Sequence, residues 1–459
     1  MVLPVGVALF YGEPEVFDFL IVMGICLLIG VPLVVKRPKN HVFYTAEGYV
    51  TVSLSWILLS IMGSLPFIIS GCIKNPVDAI FETVSGFTTT GATIFMDVES
   101  LPRSILFWRS FTHWIGGMGV LVFILCLLPL TGGSHMNLMK AESPGPSVSR
   151  LVPKVQSTAK ILYSIYIFMS AMELILLLIA RMPFFDAVTL TFGTAGTGGF
   201  GVRNDSIASY TVLQQGIITV FMILFGVNFN LYFLIITKKA KQAFASEELR
   251  VYLGVIAVSV LVITLNIFHL YNTTFEAFHN AAFSVSSVIT TTGYSTADFG
   301  QWPVLAQTIL VLLMFVGACA GSTGGGMKVS RFILLFKTVK KELVLALHPK
   351  AVSKVKMDGK SVEHEVIRAL NVYVVAYVMI FVTSLLIITL DGNDLVTNFT
   401  AVAATMNNIG PGLGQVGPSG NFSSFSNLSK LVFSFDMLAG RLEVMPLIVL
   451  FSKETWKRF

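Results

Sequence analysis

Stretches of about 20 apolar residues recur along this chain, near 16–36, 50–71, 105–130, 158–180, 212–237, 250–270, 303–335, 366–390 and 427–451. That is the length a helix needs to cross roughly 30 Å of hydrocarbon. Of the 459 residues, 54% are hydrophobic and 12% charged, against about 25% charged in soluble domains. Water is therefore not the solvent for most of the surface, and the chain reads as an all-α polytopic membrane protein. Residues 1–11 read as the tail of one further span. No basic n-region precedes them, which argues against a signal peptide.

Positive residues gather on the cytoplasmic side of a membrane protein. Lys36, Arg37 and Lys39 follow the first full span, and Lys140, Arg150, Lys154 and Lys160 fill the 131–160 loop. Lys238, Lys239, Lys241 and Arg250 mark the next basic loop, seven lysines from Lys337 to Lys360 the one after, and Lys453, Lys457 and Arg458 close the chain. The intervening segments 71–104, 182–211, 271–303 and 391–426 carry only Lys74, Arg103 and Arg203. Basic loops and C-terminus are thus expected inside and the poor segments outside, so the net charge of +6 calls for no nucleic acid. Cys26, Cys126 and Cys319 fall in spans and Cys72 near the outside, with no pairing that suggests a disulfide or metal site.

The four outer segments are too short for domains and too apolar for plain loops. Asn75-Pro76 reads as an N-cap followed by proline at the first helical position. It predicts a helix over Val77–Phe87 that runs into Thr88-Thr89-Thr90-Gly91. The second segment starts at Pro183 and runs into "GTAGTGGFG", residues 193–201. Asp78-Ala79 matches Asp186-Ala187, and counting on equally from each acid aligns Gly91 with Gly199. The third yields Thr290-Thr291-Thr292-Gly293-Tyr294, and the fourth Asn407-Asn408-Ile409-Gly410-Pro411. A single "TTTG" is ordinary loop punctuation; four glycine segments at near-regular intervals between spans are not. The unit reads span, short re-entrant helix, glycine segment, span. Two spans per unit give all four units one orientation, and parallel copies are related by an axis along the membrane normal. The expected architecture is four parallel membrane–pore–membrane repeats around a pseudo-fourfold pore, at 45–135, 150–240, 245–345 and 362–459, after extra N-terminal helices in 1–44.

Unhelical backbone at membrane depth is tolerated only where it lines water or is buried in protein. A ring of backbone carbonyls backed by threonines replaces the hydration shell of a bare cation, and glycine permits the dihedrals that turn carbonyls inward. Half-helices entering from outside and ending at the glycines bring their partially negative C-termini to the same place.

The motifs "SGFTTTGAT" (85–93), "RSFTHWIGGMG" (109–119), "TGGFG" (197–201), "GACAGSTGGGMK" (317–328), "NNIGPGLG" (407–414) and "MLAGRLEVMPLIVLF" (437–451) resemble the TrkH/KtrB branch of the Trk/Ktr/HKT potassium transporter superfamily, and TrkH more than KtrB. The resemblance covers the chain from about residue 16. It implies four linked membrane–pore–membrane units, a homodimer with one pore per subunit in the cell membrane, and a cytoplasmic nucleotide-binding regulator of the TrkA or KtrA kind. A preceding pair of helices is usual in such proteins, and here the first is cut short. The implied filter falls on Thr90-Gly91, Gly198-Gly199, Thr292-Gly293 and Ile409-Gly410, with Thr89, Thr197, Thr291 and Asn408 before them. The family's sodium-admitting members have serine at the first filter glycine, so Gly91 favours potassium. The second and fourth walls depart from Thr-Thr-Thr-Gly and are expected to coordinate through backbone, with little part for their side chains. Potassium enters as transported ligand, and no cofactor is expected in this chain.

The 303–335 span is interrupted by Gly317-Ala-Cys-Ala-Gly321-Ser322-Thr323-Gly324-Gly325-Gly326. Each successive glycine costs a helix about 1 kcal/mol against alanine, so the residues leave two readings, close helix packing through small residues or an intramembrane loop. The resemblance supports the loop as a gate below the filter, with Lys328 as an inner-mouth charge. Met327 before Lys328 excludes a phosphate-binding loop. Arg441 falls mid-span, where an unpaired charge costs at least about 2.5 kcal/mol. It is either paired with Asp436 or an acid on another helix, or placed at the pore as an electrostatic barrier; the "GRLE" motif favours the second. Glu443, two residues on, faces elsewhere. Asn228 and Asn230 are pore-facing or interhelical glue.

Asp97, Glu99, Asp205 and Asp298 lie beyond the first three filters, where acids concentrate cations. No catalytic constellation is present: His364-Glu365 begins like a zinc protease helix, but Arg368 stands where the second histidine belongs. The reading is therefore a potassium uptake channel or transporter, not an enzyme. The alternative is a sodium- or proton-coupled symporter, with Asp436 and Glu443 as the intramembrane acids expected to serve as coupling sites. The basic loops 131–160, 238–250 and 337–360 are the expected docking surface for a cytoplasmic partner.

Overall fold

Apolar runs, caps and glycines set where each helix of this chain starts and stops. The computed structural model describes residues 1–35, 45–119 and 155–457. The second half of the 105–130 span, Lys36, Arg37, Lys39, Cys126, Lys140, Arg150, Lys154 and Arg458 lie outside the described residues.

Helices α1 (Val2–Tyr11) and α2 (Val16–Val35) precede α3 (Thr45–Ile69), the short α4 (Pro76–Phe87) and α5 (Arg103–Gly117). Then come α6 (Val155–Ile179), the short α7 (Phe184–Gly196), α8 (Val212–Phe225), α9 (Phe229–Ile236) and α10 (Ala240–Phe244). The third group is α11 (Glu247–Ile267), the short α12 (Thr274–Ile289), α13 (Val304–Val316) and α14 (Val329–Leu347). After a two-stranded hairpin, β1 (Lys356–Met357) and β2 (Lys360–Ser361), the chain closes with α15 (His364–Ile388), the short α16 (Leu395–Met406), α17 (Asn427–Arg441), α18 (Met445–Phe451) and α19 (Lys453–Trp456). Helices α2, α3, α6, α11 and α15 are long and apolar enough to cross a membrane, and α8 with α9 forms a sixth candidate bent by 91°. Their outer faces expose Phe17, Leu28, Phe168, Ile179, Leu261 and Leu386, which is stable only against lipid. The chain is a multi-pass membrane protein.

The short helices occupy the interior. Asn75 Oδ1 accepts from the Val77 amide at 3.0 Å with Pro76 at the first helical position, as the sequence predicts. Thr273 and Asp394 cap α12 and α16 in the same way. From Ala79 to Phe87, α4 is buried except for Ile80, and α7, α12 and α16 are as enclosed. The helix after each glycine segment packs on the next short helix: α5 on α7, α8 on α12, α13 on α16, and α17 back on α4. The sequence order therefore closes into a ring.

Two predicted spans are not continuous. The 212–237 span breaks between Phe225 and Phe229, and the 427–451 span breaks after Arg441, where Glu443 and Val444 have φ of 54° and 68°. Hydropathy does not register these breaks because the flanking residues are apolar. The carbonyls and amides freed at the first break are satisfied by the segment after α13, and the amides at the second bond to nearby carbonyls of α17 and Glu443. The amides of Cys319 and Thr323 donate to the Gly226 and Phe225 carbonyls at 3.0 and 3.4 Å, and the Phe229 amide donates to Gly321 O at 3.0 Å. Asn228 caps α9, its Oδ1 accepting from the Asn230 amide at 2.9 Å.

Candidate functional site

All four short helices terminate alike. Thr90 N donates to Ser85 O at 2.9 Å, Gly198 N to Gly193 O at 2.8 Å, Thr292 N to Ser287 O at 2.8 Å and Ile409 N to Ala404 O at 2.9 Å. The preceding residues Thr89, Thr197, Thr291 and Asn408 are left-handed, with φ of 57°, 56°, 60° and 56°. This is the Schellman termination, which usually takes glycine; three β-branched threonines hold it here, at about 1–3 kcal/mol of strain each. The glycines two residues on are left-handed again, with φ of 77° at Gly91, 80° at Gly199, 83° at Gly293 and 95° at Gly410.

The four glycines meet. A Cβ on Gly91 would lie 2.0 Å from Gly198 O, one on Gly199 2.0 Å from Thr292 O, one on Gly293 2.0 Å from Ile409 O, and one on Gly410 2.7 Å from Thr90 O. Each glycine thus faces the carbonyl of the next segment, and the fourth faces the first. Gly91, Gly199, Gly293 and Gly410 also border one cavity of about 130 Å³ on the side of the loops that follow them. The hydroxyls behind them repeat too: Thr88 and Thr90 share a hydrogen bond of 2.8 Å, as do Thr290 and Thr292.

Side chains at the fourth wall matter more than its departure from the threonine pattern suggests. Asn408 Nδ2 donates to Thr90 Oγ1 and to Met437 O, each at 2.9 Å, and so ties the fourth wall to the first. An amide nitrogen has two protons to donate, where a threonine hydroxyl has one.

The interrupted 303–335 span is a loop, residues 317–328, with Gly317, Gly321 and Gly326 at positive φ. It lies against the ring. The Gly325 amide donates to Thr291 Oγ1 at 2.6 Å. A Cβ on Gly325 would sit 2.7 Å from Asn407 O, and one on Gly324 3.0 Å from Thr290 O. From α11, Glu248 Oε1 accepts from the Ala320 amide at 2.7 Å and the Ser330 amide at 3.2 Å. Ser322 Oγ donates to Cys319 O at 2.6 Å. Lys328 is not a free charge at an inner mouth. It is buried, and its Nζ turns back onto Gly325 O at 3.1 Å and onto Gly324 O.

Arg441 ends α17, where a cation complements the helix terminus. Its guanidinium donates to Thr323 O at 2.8 Å, Gly117 O at 2.8 Å, Gly116 O and Thr89 Oγ1 at 3.2 Å. It joins the first wall, the end of α5 and the loop. Asp436, offered as its partner by proximity in sequence, takes the Ser384 hydroxyl at 2.7 Å instead. Glu443 does face elsewhere, onto Arg331 of α14.

Asp436 and Glu443 are not the only enclosed acids: Glu82, Glu173 and Glu248 are buried as well. Glu82 escapes a hydropathy search because it lies in an outer segment and Glu248 because it opens a span, whereas Glu173 lies within the 158–180 span and belongs with the intramembrane acids from the start. The outer acids stitch loops together. Asn204 Nδ2 donates to Asp97 Oδ1 at 2.8 Å, which holds the Asp97 carboxyl below its usual range, and Glu99 accepts from the Asn204 amide at 3.0 Å. Among the described residues no cluster of His, Cys, Asp and Glu has the form of a metal site.

A family model described as a cation transport protein, TrkH, matches residues 16–458. The chain is 36% identical over 467 aligned positions to the Trk system potassium uptake protein TrkH of Salmonella typhimurium, covering 100% of this chain and 96% of that protein. It is 34% identical to the protein of the same name from Halomonas elongata, with the same coverage. The crystal structure of the potassium transporter TrkH from Vibrio parahaemolyticus superposes with a TM-score of 0.88 at 33% identity, over 99% of this chain and 96% of that one. These relatives are transporters rather than enzymes. Placed beside the ring of glycines and the broken helices around it, the matches leave one conclusion: this chain belongs to the TrkH family of cation transport proteins.

Proposed function

We propose that the chain carries potassium into the cell through the ring formed by Thr90-Gly91, Gly198-Gly199, Thr292-Gly293 and Ile409-Gly410. One observation carries this reading: four segments far apart in sequence converge so closely that each glycine lies against the carbonyl of the next. Such oxygens replace the hydration shell of a bare monovalent ion, and the four helix C-termini ending there favour a cation. An inside-negative potential adds about 2.3 kcal/mol per charge per 100 mV to inward movement. The four units run 45–135, 150–240, 245–345 and 362–459, with the N-terminal helices of 1–44 outside them. The loop from Gly317 to Lys328 closes the path on the side opposite the outer cavity, and Arg441 latches it to the first wall.

The relatives are named as parts of a Trk system. In keeping with that, a cytoplasmic nucleotide-binding subunit moves the loop, two copies of the chain assemble in the cell membrane, and basic loops face the cytoplasm.

Rubidium uptake by transporter-deficient cells tests the assignment, comparing wild type with Gly91→Ser and Arg441→Ala. The first sets a Cβ 2.0 Å from Gly198 O and is expected to lower uptake sharply and, in the uptake that remains, to lose preference for potassium over sodium. The second is expected to raise uptake in the absence of the regulator. Unchanged uptake in both would remove the roles assigned here. A coupled symporter is favoured by two buried acids, Asp436, whose Oδ2 has no hydrogen-bond partner, and Glu173 of α6. Flux into proteoliposomes with potassium as sole cation separates the two, since an obligate symporter is then silent.

A further inference from the structure

Helix α5 turns a charged and polar face toward the seam between the first and second glycine segments. Arg109 and His113, one turn apart on that face, are both buried. Arg109 Nε donates to Glu82 Oε1 at 2.8 Å, Nη2 to Thr93 Oγ1 at 3.1 Å and Nη1 to Gly201 O at 3.4 Å. Glu82 in turn accepts from the Ile94 amide at 3.0 Å and from the Thr93 hydroxyl at 3.0 Å. The guanidinium lies 4.1 Å from the Phe200 ring centre and 5.3 Å from that of Phe95. His113 Nδ1 is 2.7 Å from Gly86 O, and the Phe200 amide donates to its Nε2 at 3.3 Å. Its ring fills the space a side chain at position 198 would need. The chain just past Gly91 and the chain around Gly199 both hang on these side chains.

No other seam carries this arrangement among the described residues. The positions that align with Glu82 are Leu190, Ser284 and Ala401. Between the second and third segments, the Tyr294 hydroxyl reaches Leu190 O at 3.2 Å and Phe200 O at 3.5 Å. In the fourth, the Leu413 amide donates to Thr400 Oγ1 at 2.9 Å. A buried ion pair gains little stability over apolar packing of the same volume. What its forked, charge-assisted bonds supply is direction.

We propose that Glu82, Arg109 and His113 are positioning residues that fix the spacing of the first two filter walls, and so set the preference for potassium over the smaller sodium ion. This rests on the filter reading above. A carbonyl ring discriminates by the size and stiffness of its cage, and a wall freed from Arg109 settles inward around the smaller ion. Loss of the brace therefore erodes discrimination more than throughput.

The test is ion-dependent thermal stabilisation of purified protein in detergent, with rubidium uptake into proteoliposomes under sodium competition, on wild type, Arg109→Lys, Glu82→Gln and Thr93→Val. The ratio of sodium to potassium concentrations giving equal stabilisation is expected to fall about tenfold in the first two variants and about threefold in the third. Wild type without potassium preference would remove the filter reading itself. Selective wild type with folded variants of unchanged ratio would reduce the pair to packing and overturn the brace. Where the charge variants fail to accumulate, Thr93→Val decides alone, and an unchanged ratio there counts against the proposal.

Discussion

Gly199 has no room for even one methyl group, because the nearest atom to its missing Cβ is a main-chain oxygen of the next wall, 2.0 Å away. A backbone oxygen cannot swing aside as a side-chain tip does, and φ of 80° already costs an L-residue about 1–3 kcal/mol. Gly199→Ala is expected to reduce rubidium uptake to background and abolish stabilisation by potassium. Gly216→Ala, on α8 with nothing near its Cβ, is expected to leave uptake unchanged and gain about 0.5–1 kcal/mol. Equal loss in both would point to general fragility rather than to the ring. The alignment of the four units exposes these glycines. It does not expose that Thr89, Thr197 and Thr291 terminate their helices as Asn408 does, since β-branched residues, unlike asparagine, are poor candidates for left-handed backbone and only packing from all sides holds them there. A part-buried ion pair is another residue-scale feature invisible to pattern. Lys430 Nζ lies 2.8 Å from Asp78 Oδ1, between elements far apart in sequence. Lys430→Met leaves that part-exposed carboxylate without its cation and is expected to lower stability by about 1–2 kcal/mol, read from thermal unfolding of the purified protein.

At the scale of elements, the broken helices belong together. The loop after α13 inserts its amides into the break between α8 and α9, while Arg441 at the end of α17 takes the last carbonyls of α5. Each interruption supplies the hydrogen-bond partners another lacks, as chain within a membrane requires. Glycine clustering announced the first of these breaks. The other two fall in otherwise apolar sequence, marked only by Asn228 in one and by Arg441 and Glu443 in the other, and it is the neighbouring loop that explains why the break between α8 and α9 is stable. The loop's seat is narrow, so Gly325→Ala, whose Cβ would press on Asn407 O and Asn408 Cβ, is expected to displace it. Regulator-free rubidium uptake should then rise several-fold. A fall would show that the loop positions the filter instead of closing the path.

For the whole molecule, the proposed orientation puts the loops after each glycine outside and the lysine-rich segments inside. Met96 is 77% exposed in the first outer loop, and Lys350 is exposed in the segment before the hairpin. In a cysteine-free background, Met96→Cys is expected to react with a membrane-impermeant maleimide on intact cells, and Lys350→Cys only after permeabilisation. The reverse pattern would invert the topology and the direction of transport drawn from it.

Hydrophobic length and a glycine phrase said four times were enough to determine that this chain spans a membrane and gathers unhelical backbone in its interior. These are local properties of a chain in lipid: a run of side chains either tolerates hydrocarbon or does not, and a glycine either permits a dihedral or does not. Tertiary structure alone decided which carbonyl faces which glycine, where the inner helices break, and which charges are matched. Those depend on partners hundreds of residues away, such as Asn408 with Thr90 or Arg441 with Gly117, and a hydrogen bond carries no trace in the sequence of the distance it closes.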